Sequence, residues 1–188
     1  MPIVTLNPPL ANVSRKVPAL LIVLHATAGA TASSSISVLR GKGLGYHFII
    51  ARDGKDSKNS ALSDGTAPKV FACVPIERVT FHVGSTIPVP DGQGDINRNS
   101  VGISLANIQN KKSPEPYPAA QIAAMHDVIA GILAKMPSIK RLTAHAFVQP
   151  WNRSDPQILD IDAIAAMHKL EVWRPSAGQI KAHTPKKP

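Results

Sequence analysis

One uninterrupted apolar run constrains the fold more than any other feature of the sequence. The segment ALLIVLH, from Ala19 to His25, is apolar at every position until it ends in a histidine. A short apolar run of this length, bounded by polar sequence, is typical of a buried strand. We therefore predict a buried central strand that presents His25 at its end.

The rest of the sequence predicts more strands and a few helices around this one. Short strands are predicted in the segments GYHFIIA, APKVFACVP, RVTFHVG, SVGISLAN and IKRLTAH. A short helix is predicted in SISVLRG, ending near Gly41 or Gly43. Apolar residues at helical spacing predict a longer helix in YPAAQIAAMHDVIAGILAKMP, and a further helix is predicted in DIDAIAAMHKLEVW. Strands mixed with helices predict an α/β fold, a single domain with a central mixed β-sheet flanked by helices. We assign residues 1–174 to this domain and residues 175–188 to a basic tail that we expect to be flexible.

Composition restricts the partners and the kinds of site. The 188 residues carry a formal net charge of +9, which predicts attraction to polyanions such as an anionic cell envelope. Aromatic residues make up only 4% of the chain and do not interleave with the basic ones, so we expect no specific nucleic-acid recognition. A basic nucleic-acid-binding domain stays an alternative on charge alone. Cys73 is the only cysteine, which excludes an intramolecular disulfide and a cysteine-rich zinc site. No apolar run approaches the ~18 residues of a transmembrane helix, and no secretory signal pattern is recognisable.

Four of the seven histidines lie in or at the ends of predicted strands, where a rigid scaffold presents functional groups. These four are His25, His47, His82 and His145, whereas His126, His168 and His183 lie in predicted helices or in the tail. Asp155 closes the irregular loop that follows His145. A catalytic zinc site needs three protein ligands and an open fourth position, and two imidazoles with one carboxylate satisfy it. No compact His-Glu-x-x-His motif occurs, so spacing alone does not establish such a site.

Five segments between Leu21 and Pro156 carry a family resemblance: LIVLHATAGA, GYHFIIARDGK, FHVGS, NRNSVGISLAN and LTAHAFVQPWNRSDP. In this order they resemble the zinc-dependent N-acetylmuramoyl-L-alanine amidases, the group that includes phage lysozyme-type amidases and peptidoglycan recognition proteins. The first is similar to the strand of the family's first metal ligand, and the second to its central hairpin. The third resembles its Trp-His-Ala-Gly segment and the fourth its Asn-x-x-Ser-Ile-Gly-Ile strand. The last resembles the closing segment, in which a histidine and an Asp-Pro pair flank a loop.

The resemblance implies roles for particular positions. It implies one zinc ion per chain, bound by His25, His145 and Asp155. It implies that Tyr46 orients water or hydrogen-bonds the oxyanion of the reaction, and that Arg153 stabilises this oxyanion together with the metal.

Two positions depart from the family's usual pattern. Ser104 stands where several of these amidases have a glutamate that acts on water, and serine cannot serve as a base at neutral pH. Arg153 stands where lysine is usual, which keeps the charge but changes a point charge to a planar fork. Because Ser104 replaces that glutamate, the chain resembles the branch of the family that relies on a tyrosine beside the metal. If Tyr46 faces the metal, strand alternation turns His47 to the other face, where we expect a structural role.

The predicted function is hydrolysis of the amide bond between N-acetylmuramic acid and L-alanine in bacterial peptidoglycan, in a lytic role. His82 and Asn97 match segments that line the family's substrate groove and are expected to contact substrate. The alternative is a peptidoglycan-binding protein of the same fold without hydrolysis. We expect a monomer that is made in the cytoplasm and acts on the cell wall or periplasm after release or delivery.

Overall fold

The computed structural model describes residues 3–92, 94–109 and 112–186. The strands of this part are β1 (Ile3–Thr5), β2 (Asn12–Ser14), β3 (Leu21–Ala26), β4 (Phe48–Ile50), β5 (Val70–Ala72), β6 (Arg78–Thr80), β7 (Ser100–Leu105), β8 (Arg141–Ala144) and β9 (Glu171–Val172). The α-helices are α1 (Ala32–Lys42), α2 (Ala119–Lys135), α3 (His145–Val148), α4 (Ile161–Met167) and α5 (Ala177–His183), and short 3-10 helices cover Ser60–Leu62 and Asn97–Asn99. None of the described helices is long and apolar enough to span a membrane.

Seven of the described strands form one mixed sheet, in the order β1-β5-β4-β7-β3-β8-β9. From β4 to β9 the neighbours are parallel, whereas β5 runs antiparallel to β4. β3 lies between β7 and β8 with all six residues buried, which confirms the predicted central strand. The predicted α/β domain with a central mixed sheet is confirmed. The predicted strand in RVTFHVG lies outside this sheet, because β6 pairs with β2 in a separate antiparallel ribbon.

The two faces of β3 contact different parts of the core. Because side chains alternate along a strand, odd and even positions point to opposite faces of the sheet. Ile22 and Leu24 pack with residues of α2 and α4 in one cluster, and Leu21 and Val23 pack in another. His25 continues the second set, so its imidazole lies on the face opposite α2.

The first helix begins three residues before the segment in which it was predicted and ends where predicted. The Thr31 hydroxyl accepts the Ser34 backbone N–H at 3.0 Å, and the Ser34 hydroxyl accepts the Thr31 backbone N–H at 3.3 Å. This reciprocal capping box satisfies amides that the first turn leaves unpaired. Gly43 takes a left-handed φ of 65° and ends α1, which confirms the predicted end.

The helix predicted in DIDAIAAMHKLEVW is wrong in its C-terminal half. α4 ends at Met167, and Lys169 adopts a left-handed φ of 55° that turns the chain. β9 then pairs with β8, and the backbone N–H of the buried Trp173 donates to Leu142 O at 2.8 Å. An unpaired edge of β8 and the burial of Trp173 favour a strand here over continued helix.

The segment predicted to be a flexible tail contains α5. Ile180 packs against the cluster that includes Trp173, and the ring Nδ1 of His183 lies 3.0 Å from the Thr86 hydroxyl. The domain boundary after residue 174 and the flexibility of the residues beyond it stay predictions.

Candidate metal centre

The three residues expected to bind zinc lie together at the C-terminal ends of two parallel strands. Leu24 of β3 pairs with Ala144, the last residue of β8. The residues that follow, His25 in β3 and His145 at the start of α3, therefore stand side by side. The loop after α3 brings Asp155 back to them. Oδ2 of Asp155 lies 3.1 Å from His145 Nδ1 and 3.7 Å from His25 Nδ1.

The donor atoms of this group fit a zinc ion. One ligand atom from each of the three residues lies within 4.8 Å of the other two. Nδ1 of His25 is buried and has no hydrogen-bond partner within the described residues. Since buried polar atoms are nearly always paired, this bare nitrogen indicates a lone pair available to a cation. Two imidazoles and one carboxylate also leave the open position that a catalytic zinc site needs.

The surroundings set these side chains in the charge states that metal binding requires. Burial, followed by the proximity of His145, lowers the pKa of His25 to about 4, so its imidazole is neutral at pH 7. Burial would raise the pKa of Asp155, but the imidazoles of His145 and His25 hold it well below its usual range. The group therefore offers one negative charge beside a neutral imidazole.

Tyr46 and Ser104 border the three ligands. Tyr46 lies two residues before β4, and its ring centroid lies 4.8 Å from that of His25. Burial raises the pKa of the Tyr46 phenol above its ordinary value, so the hydroxyl keeps its proton and can donate it. Ser104 lies opposite His25 in the register of β7 and β3, and its Oγ is buried.

His47, the neighbour of Tyr46, connects elements of the fold. Its Nδ1 accepts the Gly102 backbone N–H at 2.9 Å, and its Nε2 donates to Arg78 O at 3.1 Å. Burial lowers the pKa of His47 to about 3, which keeps the imidazole neutral. These contacts connect the residue before β4 to β7 and β6, which is consistent with a structural role.

A groove of about 580 Å³ opens above the ligand group. α1 forms one wall of this groove through residues that include Val38 and Lys42. Arg153 and Tyr46 lie on its lining with two of the three candidate ligands, His145 and Asp155. Arg153 is exposed, and its Nη1 donates to Asn152 O at 3.2 Å. The groove is therefore lined by two cationic side chains, Lys42 and Arg153.

The two residues expected to contact substrate are almost fully buried. His82 exposes 8% of its surface, and its Nδ1 lies 3.0 Å from His25 Nε2. Asn97 exposes 7%, and its Oδ1 accepts the backbone N–H groups of His82 and Val83, each at 2.9 Å. Contact of His82 or Asn97 with substrate stays a prediction.

Gln149 belongs to the site although the sequence does not single it out. Its Oε1 lies 3.3 Å from His145 Nε2 and accepts the Gly84 backbone N–H at 2.8 Å. Its Nε2 donates to Asn152 Oδ1 at 2.7 Å. The sequence signal for this contact is the spacing of four residues from His145, one helical turn.

A comparison with protein families decides which family this is. The family model described as N-acetylmuramoyl-L-alanine amidase matches residues 15–158, which include the three ligand residues, Tyr46 and Arg153. The chain belongs to this family. No curated protein sequence matches this member of the amidase family.

Solved structures share its fold. The amidase AmiD of Escherichia coli, in complex with anhydro-N-acetylmuramic acid-L-Ala-D-gamma-Glu-L-Lys, is 24% identical with a TM-score of 0.66 over 88% of this chain and 63% of its own. The amidase LysC of Clostridium intestinale is 21% identical with a TM-score of 0.65, covering 91% and 99% of the two chains. The endolysin of Thermus scotoductus bacteriophage Ph2119 is 19% identical with a TM-score of 0.61, covering 87% and 97%. This amidase-family chain thus spans less than two thirds of the AmiD chain.

Proposed function

We propose that this chain hydrolyses the amide bond between N-acetylmuramic acid and L-alanine in peptidoglycan, with one zinc ion held by His25, His145 and Asp155. The convergence of these three residues, with His145 and Asp155 on the groove lining and the bare Nδ1 of the buried His25 beside them, carries the proposal. Membership of the amidase family supports the reaction. The muramyl peptide bound to AmiD supports the class of substrate.

The residues around the ligands can stabilise the negative charge that develops on the scissile carbonyl oxygen. When bound, zinc would supply Lewis-acid polarisation of that carbonyl and activation of water. The protonated hydroxyl of Tyr46 can donate a hydrogen bond to the oxyanion. Arg153, at the edge of the groove, adds a positive charge with several donors. Ser104 cannot act as a base at neutral pH, so proton transfer to the leaving amine must use another group or water.

Digestion of purified peptidoglycan, followed by mass analysis of the products, tests the reaction. We expect free stem peptides that begin with L-alanine, and metal analysis should give about one zinc per chain. His145→Ala should abolish both. His126→Ala, a change in α2 outside the groove, should leave both intact.

Three other outcomes would each indicate a different function for this chain. New reducing sugar ends would indicate a glycosidase. Binding to the wall without products, by a zinc-loaded chain, would indicate the non-catalytic alternative. Hydrolysis by a zinc-free preparation would contradict the role of the metal.

We further propose a lytic role, with synthesis in the cytoplasm and action on the wall after release or delivery. The +9 charge supports contact with an anionic envelope, and one structure of the same fold is described as an endolysin. Cell lysis should weaken as salt rises, because salt screens exposed charges. Neutralising the exposed Lys181 and Lys186 to glutamine should reduce this salt dependence while keeping α5, and an unchanged dependence would remove the C-terminal segment from the contact.

A further inference from the structure

A second histidine lies directly behind the first metal ligand. His82 Nδ1 is 3.0 Å from His25 Nε2, and neither ring is appreciably exposed. If His25 gives Nδ1 to the metal, its proton resides on Nε2, and that N–H must donate to His82 Nδ1. A metal-binding imidazole usually donates its other N–H in this way, which fixes both the tautomer and the ring orientation.

The hydrogen bonds continue from His82 into the sheet. His82 Nε2 lies 3.1 Å from the hydroxyl of Ser100, the first residue of β7. A neutral imidazole has one donor and one acceptor, so His82 accepts at Nδ1 and donates to Ser100 at Nε2. A Cβ on Gly102 would lie 2.8 Å from His82 Cγ, so the missing side chain at Gly102 makes room for this ring against the strand. The ring therefore has one position and one tautomer.

The second ligand has its own partner. Gln149 Oε1 lies 3.3 Å from His145 Nε2 and also accepts the Gly84 N–H, while Gln149 Nε2 donates to Asn152. The Gly84 N–H fixes which end of the amide faces His145, because only the carbonyl oxygen can accept from a backbone N–H. The proton of His145 is thereby placed on Nε2, which leaves Nδ1 toward Asp155.

Both partners depend on one segment, residues 82–84. His82 contacts His25 through its side chain, and Gly84 contacts Gln149 through its backbone. Asn97 holds the segment in place, since its amide accepts from the N–H groups of His82 and Val83 and donates to Val83 O at 2.8 Å.

We propose that His82 and Gln149 are positioning residues, which orient the imidazoles of His25 and His145 with Nδ1 toward the metal, and that residues 82–84 join them in one brace. This inference rests on the metal site of the proposed function. It gives His82, which also borders the groove, a role behind a metal ligand that the sequence did not predict. It also gives Asn97 the task of holding the brace.

Zinc affinity of the purified full chain, measured by competition with a chromogenic chelator, tests the brace without using catalysis. His82→Phe keeps the ring but removes both nitrogens, and Gln149→Met keeps the length but removes the acceptor. Loss of such a partner typically weakens metal binding by about 10–100-fold, and we expect both variants to fall in this range. His82→Asn, which keeps an acceptor near the position of Nδ1, should retain affinity within several-fold of the parent. His168→Gln, in a histidine that contacts His126 instead, is the matched control and should bind zinc like the parent.

The same variants separate the brace from the alternatives. Unchanged zinc affinity in His82→Phe, with a raised KM for muramyl peptide, would overturn the brace and place His82 at the substrate. A parent protein that binds no zinc would contradict the proposed function itself. Circular dichroism and a thermal melt establish that each variant is folded, and if His82→Phe is not, Ser100→Ala and Gln149→Met decide the matter. Ser100→Ala removes the acceptor for His82 Nε2 and should weaken zinc binding by a few-fold. Parent-like zinc affinity in both Ser100→Ala and Gln149→Met would overturn the brace.

Discussion

At the scale of single residues, Tyr46 and Arg153, which we propose stabilise the same oxyanion, lie in different surroundings. The Tyr46 ring packs against the His25 ring, and burial raises the pKa of its phenol. Arg153 is exposed on the groove and has a hydrogen bond only to the backbone of Asn152 among the described side-chain contacts. A preorganised donor stabilises charge in the transition state more than a mobile one does.

We predict that Tyr46→Phe keeps the zinc content and lowers kcat by about 10²–10³, the effect typical of losing one oxyanion donor. The ring and its packing against His25 remain, so the metal site should be unaffected. Steady-state kinetics on a muramyl peptide and metal analysis measure the two quantities. A kcat equal to that of the parent would remove Tyr46 from the catalytic residues.

We predict that Arg153→Lys retains most of the activity, because the positive charge stays at the groove, whereas Arg153→Ala loses more. A loss of about 10²–10³ in kcat for the alanine variant corresponds to an oxyanion contact. Lysine lacks the planar fork of arginine, so the difference between the parent and the lysine variant measures how much that geometry contributes. Equal kcat in all three proteins would show that Arg153 takes no part in catalysis.

At the scale of elements, the site depends on how closely β7 approaches the segment that carries His82. Gly102 of β7 lies under the His82 ring and donates its N–H to His47. We predict that Gly102→Ala displaces the His82 ring, because the added Cβ would lie 2.8 Å from it, and thereby lowers both zinc affinity and stability.

The matched control is Gly131→Ala in α2, where a Cβ would meet nothing within 4 Å. Alanine favours a helix over glycine by up to about 1 kcal/mol, so this variant should be slightly more stable than the parent. Chelator competition and urea unfolding of both variants check the two expectations. Parent-like zinc affinity in Gly102→Ala would show that His82 tolerates displacement.

The elements also explain how far the sequence alone could reach. The apolar run to His25 predicted the central strand, because a strand buried on both faces has no polar positions. β1, β2 and β9 have two or three residues and mostly exposed side chains, which leaves no pattern for a prediction. Gln149 lies behind His145 because α3 turns it there and because its Oε1 accepts the Gly84 backbone N–H. Gly84 and Gln149 are 65 residues apart, so no local sequence pattern predicts their contact.

At the scale of the whole molecule, zinc bound by the three proposed ligands would couple the site to the fold. His25, His145 and Asp155 meet only when β3, β8 and the loop after α3 are assembled. A metal that binds the folded chain and not the unfolded one stabilises the fold, by about 2.7 kcal/mol when free zinc is 100 times its dissociation constant. We predict that a chelator lowers the melting temperature of the parent and leaves that of His145→Ala unchanged, measured by calorimetry. Equal melting temperatures of the parent with and without chelator would contradict the coupling.

Buried neutral histidines also predict how the stability of the whole chain depends on pH. Burial lowers the pKa of His47 from its ordinary 6.5 to about 3, so between these values the unfolded chain binds a proton that the folded chain does not. The contribution of His47 to stability is therefore complete above about pH 6.5, and the free energy of unfolding falls by about 1.4 kcal/mol for each pH unit below it. His47→Gln, which cannot titrate, should be less stable than the parent at pH 7 but should lose less stability on acidification. Urea unfolding of both zinc-free proteins at pH 7, 6 and 5 gives the slope of the free energy of unfolding against pH. The difference between the two slopes isolates His47 from the other histidines. Parallel curves would show that His47 is protonated as readily in the folded chain as in the unfolded chain.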